Sequence, residues 1–134
     1  MLRPDERSDA RERALYLLYE AHSKGIEPAA TIELQVIEPD ELTQDLVLGV
    51  GRTLSTLDAH IEQRAKGWTL ARMPVLDLNV MRLGVFELIE RPDVPTAVVL
   101  NEAVELAKRF STDDSGRFVN GVLAAVAADV RPAS

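Results

Sequence analysis

Between Pro74 and Arg91 the chain carries a run that only neighbours on several sides can hide. Val75, Leu76, Leu78, Val80, Met81, Leu83, Val85, Phe86, Leu88 and Ile89 cover most of the circumference of a helix. A helix apolar on nearly every side belongs inside a bundle, not on a surface. Pro74 opens it, and Pro92 and Pro95 make a tight link after it because neither continues a helix. Asp77, Asn79, Arg82 and Glu87 interrupt the run. Buried there, each needs a partner.

The rest of the chain supplies the neighbours. Val99, Ala103, Leu106, Ala107 and Phe110 recur at helical spacing, with Thr96 as the expected N-cap. A polar joint at 111–116 leads to another helix. Phe118, Val122 and Val126 form one of its stripes and Val119, Leu123 and Val130 the next, while Asp113 and Asp114 lie at the positive end of its dipole. Asn120-Gly121 marks a hairpin only between strands. With helical flanks, Gly121 is expected to admit a second helix, since it costs about 0.5–1 kcal/mol against Ala.

Upstream, residues 1–25 predict a charged lead and a helix with Ala14, Leu15, Leu18 and His22 on its inward stripe, stopped by Lys24-Gly25. Residues 26–38 read as a short helix, although Thr31-Ile32 and Val36-Ile37 also suit a strand. Pro39 with Asp40-Glu41 predicts a new helix start. Leu42, Leu46 and Val50 form its inner face, with Gly49 and Gly51 where helices pack closely. Ser55 to Asp58 resembles a capping box for a further helix that buries Leu57, Ile61 and Ala65. Lys66-Gly67 ends it and Trp68 covers that end; a base-stacking role for Trp68 is the weaker reading. Residues 69–73 form a turn or a single helical turn. Six or seven helices with short links make an all-α bundle. A single domain is expected over residues 1–134, with 1–6 as a flexible lead.

Composition narrows the function classes. The net charge of −7 disfavours binding nucleic acid over the whole surface and leaves room for a local basic patch. The absence of cysteine excludes disulfides and thiolate metal sites. Residues 1–13 are charged throughout, and no apolar run reaches the roughly 18 residues of a membrane span, so a cytoplasmic location is expected. His22 and His60 each follow an acid by two residues, a spacing that shares no helix face and builds no helical metal site. The seven glycines are dispersed, so no phosphate loop forms. No nucleophile has catalytic surroundings. Neither an enzyme nor a cofactor is expected. Arg7 and Arg11, four apart, share a helix face. Spacing alone reads them as solvated, with Asp9 and Arg13 as a pair, rather than as an anion site.

Longer patterns carry a resemblance. Asn101-Glu102-Ala103-Val104-Glu105-Leu106-Ala107-Lys108, then Asp114-Ser115, then Arg117-Phe118-Val119-Asn120-Gly121-Val122-Leu123 resemble the C-terminal signature of the NusB family of bacterial transcription antitermination factors. Val80 to Leu88 and Asp93-Val94-Pro95 are similar to it as well. So are Arg7, Ala10, Arg11, Leu18 and Tyr19 near the start, although Ser8 and Asp9 stand where the family is often basic. The likeness covers residues 7–25 and 68–126. A related domain begins some ribosomal RNA cytosine methyltransferases.

The resemblance implies a fold of two small helical bundles packed together and a role without catalysis. It implies docking of NusE, a ribosomal protein, and joint capture of boxA, a single-stranded element of nascent ribosomal RNA, within an RNA polymerase antitermination complex. It assigns RNA contacts to Arg7, Arg11, Arg82, Arg117 and Phe118, and the partner side to Tyr19, Asp77 and Asp114. Phe118 fits the buried stripe with Val122 equally well. The resemblance leaves the oligomeric state open, since the family includes both monomers and dimers, and a homodimer would hide the RNA surface. Two alternatives stand beside this reading. One is a helical protein-interaction module with weak or lost RNA binding. The other is a methyltransferase-type domain, disfavoured because no catalytic domain follows Val130-Arg131-Pro132.

Overall fold

Helix α5 (Val75–Glu90) runs through the middle of the molecule, as its sequence demands: Leu78, Val80, Met81, Leu83, Val85, Phe86 and Leu88 are all buried. The computed structural model describes residues 4–132. Besides α5 it contains α1 (Pro4–Lys24), α2 (Pro28–Glu33), α3 (Glu41–Arg52), α4 (Leu54–Arg64), α6 (Thr96–Phe110) and α7 (Asp113–Val130), a 3-10 turn at Leu70–Arg72, and no strand among the described residues. Helices α1, α2 and α3 pack on one another, and α4, α6 and α7 gather around α5, which also touches α1 and α3. Two layers of helices therefore share one continuous apolar core. Helix α1 already begins at Pro4, inside the stretch expected to be a flexible lead.

Two close approaches set the spacing. A Cβ on Gly84 of α5 would lie 2.7 Å from Leu123 Cδ1 of α7. A Cβ on Gly49 of α3 would run into the Phe86 ring. Gly25, with φ +65°, turns the chain out of α1 in a conformation that side chains with a Cβ resist.

The ends of the helices differ in detail from expectation. Asp40, rather than Pro39, starts α3: its carboxylate accepts from Thr43 N at 3.3 Å. Helix α4 follows α3 after a single residue, Thr53, whose side chain makes no cap bond, so the expected capping box at Ser55 is not used. Pro95 takes the N-cap position of α6, and Thr96 is the first helical residue. Its hydroxyl instead accepts from Arg131 at 3.1 Å. That arginine also donates to the carbonyls of Glu87, Leu88, Arg91 and Val94, clasping the end of α5 and the 92–95 link.

Three side-chain expectations are corrected. His22 is exposed, because the inward face of α1 turns away from it after Leu18 and Ala21. Gly121 has nothing within 4 Å of where a Cβ would stand, so no helix among the described residues needs its small size. Arg13 donates to the Ile37 carbonyl at 3.2 Å, not to Asp9. Beyond the short α2, Leu34, Val36 and Ile37 are exposed in the loop that precedes α3.

Candidate nucleic-acid interface

The basic and acidic side chains singled out above fall into three places. The first is the contact of α1 with α5 and α6. Arg11 is 5% exposed, and its Nε donates to both Glu87 oxygens, at 3.1 and 2.9 Å. Its Nη1 lies 3.4 Å from Glu102, which also accepts from Ser8. A buried charge is tolerated only when paired and hydrogen-bonded, and here an apolar stripe from each helix brings one partner. Arg7 and Arg11 do share a face, but that face turns inward at Arg11. Arg7, one turn earlier, is half-buried. The expectation of an RNA contact at Arg11 is therefore revised: its guanidinium is used inside the fold. Tyr19, further along α1, is 43% exposed.

The second place is the α4–α5 contact. Arg82 makes a two-pronged bond to Asp58, Nε to Oδ1 at 2.8 Å and Nη2 to Oδ2 at 2.9 Å, and Nη1 donates to Asn79 at 3.2 Å. Asn79 in turn donates to the Val75 carbonyl at 3.0 Å. This fork geometry engages all three guanidinium nitrogens. Arg82 too is revised from an RNA contact to a clamp between two helices.

The third place is the start of α7. Thr112 caps it, accepting from Ser115 N at 3.0 Å. The Ser115 hydroxyl donates to Asp77 Oδ2 at 2.8 Å, tying the first turn of α7 to the first turn of α5. Asp77, Asp114 and Phe118 line one cleft of about 220 Å³ with Trp68. The Trp68 and Phe118 rings are 6.0 Å apart and tilted by 50°. Phe118 is half-buried, packed against the core and lining the cleft at once. Arg117, beside it, is exposed and pairs with exposed Asp114. Round the helix, Arg117 also lines a polar groove of about 430 Å³ between α6 and α7, with Asn101, Lys108, Asp113 and Asn120.

The structure thus brings Asp77, Asp114, Arg117 and Phe118 together and keeps Arg7, Arg11 and Tyr19 on α1, with Arg82 apart from both groups. A half-buried ring beside an exposed guanidinium is an arrangement that single-stranded nucleic acid can use, for stacking and for phosphate. Sequence reasoning gave Trp68 the lesser role; its pairing with Phe118 spans 50 residues, a separation that helical period does not report. No group of histidines and acids suited to a metal ion occurs among the described residues. No described helix is long and apolar enough to cross a membrane.

Comparison with known proteins adds to this geometry. A family model described as the NusB family matches residues 8–128. The transcription antitermination protein NusB of Saccharopolyspora erythraea is 48% identical over 127 residues, which span 90% of this chain and 86% of that protein. The protein of the same name from Streptomyces avermitilis is 44% identical, over 87% of this chain and 88% of its own length. Among solved structures, T. maritima NusB superposes with a TM-score of 0.85 at 31% identity, covering 98% of this chain and 96% of its own. A chain from the crystal structure of antitermination factors NusB and NusE in complex with dsRNA gives 0.81 at 28% identity, over 95% and 99%.

Proposed function

This chain belongs to the NusB family, matched along nearly all of its length, and from that premise we propose that it joins NusE to capture boxA in nascent ribosomal RNA and keep RNA polymerase elongating. The role is one of binding, without catalysis. The observation that carries this reading is the solved complex in which a chain of this shape is held with NusE and RNA. On the RNA side, Arg117 at the start of α7 serves phosphate, with Arg7 on α1 as a further cation, while Phe118 walls the cleft it shares with Asp77 and so stands between the RNA and protein sides. Tyr19, Asp77 and Asp114 supply the protein side. A basic companion accounts for how a chain of net charge −7 enters an RNA complex.

A fluorescently labelled boxA oligonucleotide, titrated with the chain alone and with the chain plus NusE, tests the proposal. Affinity should rise at least tenfold with NusE and fall when the boxA sequence is scrambled. Binding of NusE without any RNA binding, alone or together, would leave a protein-interaction module. A light-scattering mass taken at the same concentrations shows whether a homodimer competes with the RNA complex.

A further inference from the structure

The cleft at the start of α7 ends on an atom that lacks a partner. Asp77 is 3% exposed, and while its Oδ2 accepts from Ser115, its Oδ1 has no hydrogen bond. A buried carboxylate oxygen without a donor is rare in folded proteins. Its surroundings are mostly apolar: Trp68, Pro74 and Phe118 form walls, and Trp68 is left 47% exposed at the mouth. The rim carries a second carboxylate, Asp114.

We propose that this cleft receives an arginine side chain presented by the protein partner, its guanidinium donating to Asp77 Oδ1 and lying against the Trp68 and Phe118 rings. The inference rests on the proposed association with a basic protein and names the group that the cleft takes from it. Three features select the guanidinium. The unpartnered oxygen, buried behind the walls of the cleft, requires an N–H donor, and a positive one is favoured beside two carboxylates. The walls are aromatic, and a guanidinium is planar, stacks on ring faces and sheds water more readily than an ammonium group, which argues against lysine. A nucleobase would bring its flanking phosphates against Asp114 and the adjacent Asp113, so charge disfavours RNA at this spot.

The chain has a single tryptophan, Trp68, so its fluorescence reports the cleft directly. N-acetylarginine amide should quench or shift the emission saturably in the millimolar range, whereas N-acetylcitrulline amide, the same shape without the charge, should not. Asp77→Asn should abolish that response and weaken NusE binding at least tenfold by calorimetry. It keeps an oxygen for Ser115, and an unchanged thermal midpoint would show that α7 is still capped. Trp68→Leu, which leaves the Ser115–Asp77 bond alone, should also weaken NusE binding several-fold. Wild-type NusE affinity in both variants would overturn the proposal while the partner reading stood. No NusE binding by the wild-type chain would defeat the partner reading, and a saturable, Asp77-dependent response to the arginine probe would then still support the chemistry of the cleft. An emission change with boxA RNA alone, lost in Asp77→Asn and absent with the arginine probe, would assign the cleft to a base and overturn it.

Discussion

Arg11 shows how far a single residue could be read from the sequence. Its spacing from Arg7 was legible, but which way the shared face pointed was not, because that depends on a glutamate 76 positions away. The same holds for Arg82 and Asp58. Polar breaks in an apolar run announce that partners exist, and only the packing of helices decides which. The pairing has an energetic signature. Arg11→Met leaves Glu87 buried without its cation and should cost about 3–5 kcal/mol, whereas Arg11→Met with Glu87→Leu should recover most of that loss. Denaturant unfolding of the two single variants and the double checks this; a double variant as unstable as the sum of the singles would mean that the two side chains do not act as a pair. Asp114 is the opposite case. Its side chain is 84% exposed, and its salt bridge with Arg117 contributes little to stability. Asp114→Asn should release Arg117 to phosphate and tighten boxA binding by a few-fold, with the melting temperature unmoved. A weaker complex would make the Asp114 carboxylate a direct contact.

At the level of elements, the seven helices follow from apolar period and from Pro and Gly punctuation, which are local signals. Cap residues were displaced by one or two positions because proline, aspartate and threonine crowd the same junctions, and the choice among them depends on neighbours such as Arg131. Gly84 of α5 and Gly121 of α7 separate local from tertiary causes. Gly84→Ala would drive a Cβ into Leu123 and should destabilise by about 1–3 kcal/mol. Gly121→Ala meets open space and should stabilise by about 0.5–1 kcal/mol through helix propensity alone. Thermal melts of the two variants should move in opposite directions, and a shared direction would refute the packing described for α5 on α7. The α4–α7 contact offers a test by pH. The hydrogen bond from Arg64 holds the Asp129 carboxyl below its ordinary range, and the same bond raises the Arg64 guanidinium. A carboxyl lowered in the folded state adds stability that is present above its unfolded value of about 3.9 and lost as pH falls through the folded value. Wild type and Asp129→Asn should therefore converge in melting temperature in the region below about pH 4. The arginine's share persists at every pH below its own ordinary range, so no second divergence should occur between pH 5 and 9.

For the molecule as a whole, charge decides how RNA can be held. Twelve arginines give an impression of a nucleic-acid binder, yet Arg11, Arg64, Arg82 and Arg109 are paired with acids across helix contacts, and Arg131 is bound to carbonyls. Around the start of α7 the cations facing solvent include Arg117 and Lys108, with half-buried Arg7 on α1. Counterion release gives a slope of about −0.7 in log affinity against log salt for each phosphate neutralised on a single strand. With roughly three such cations, binding of boxA by the chain alone should show a slope near −2. NusE should steepen it, because the added cations come from the partner. Fluorescence anisotropy over a sodium chloride series, with and without NusE, measures both slopes. If the chain alone gave a slope beyond about −4, further cations would have to reach the RNA, either exposed ones such as Lys66 and Arg72 or those now in internal pairs. A slope reduced by Arg11→Met and Arg82→Met would make the clamps at Glu87 and Asp58 switches rather than struts.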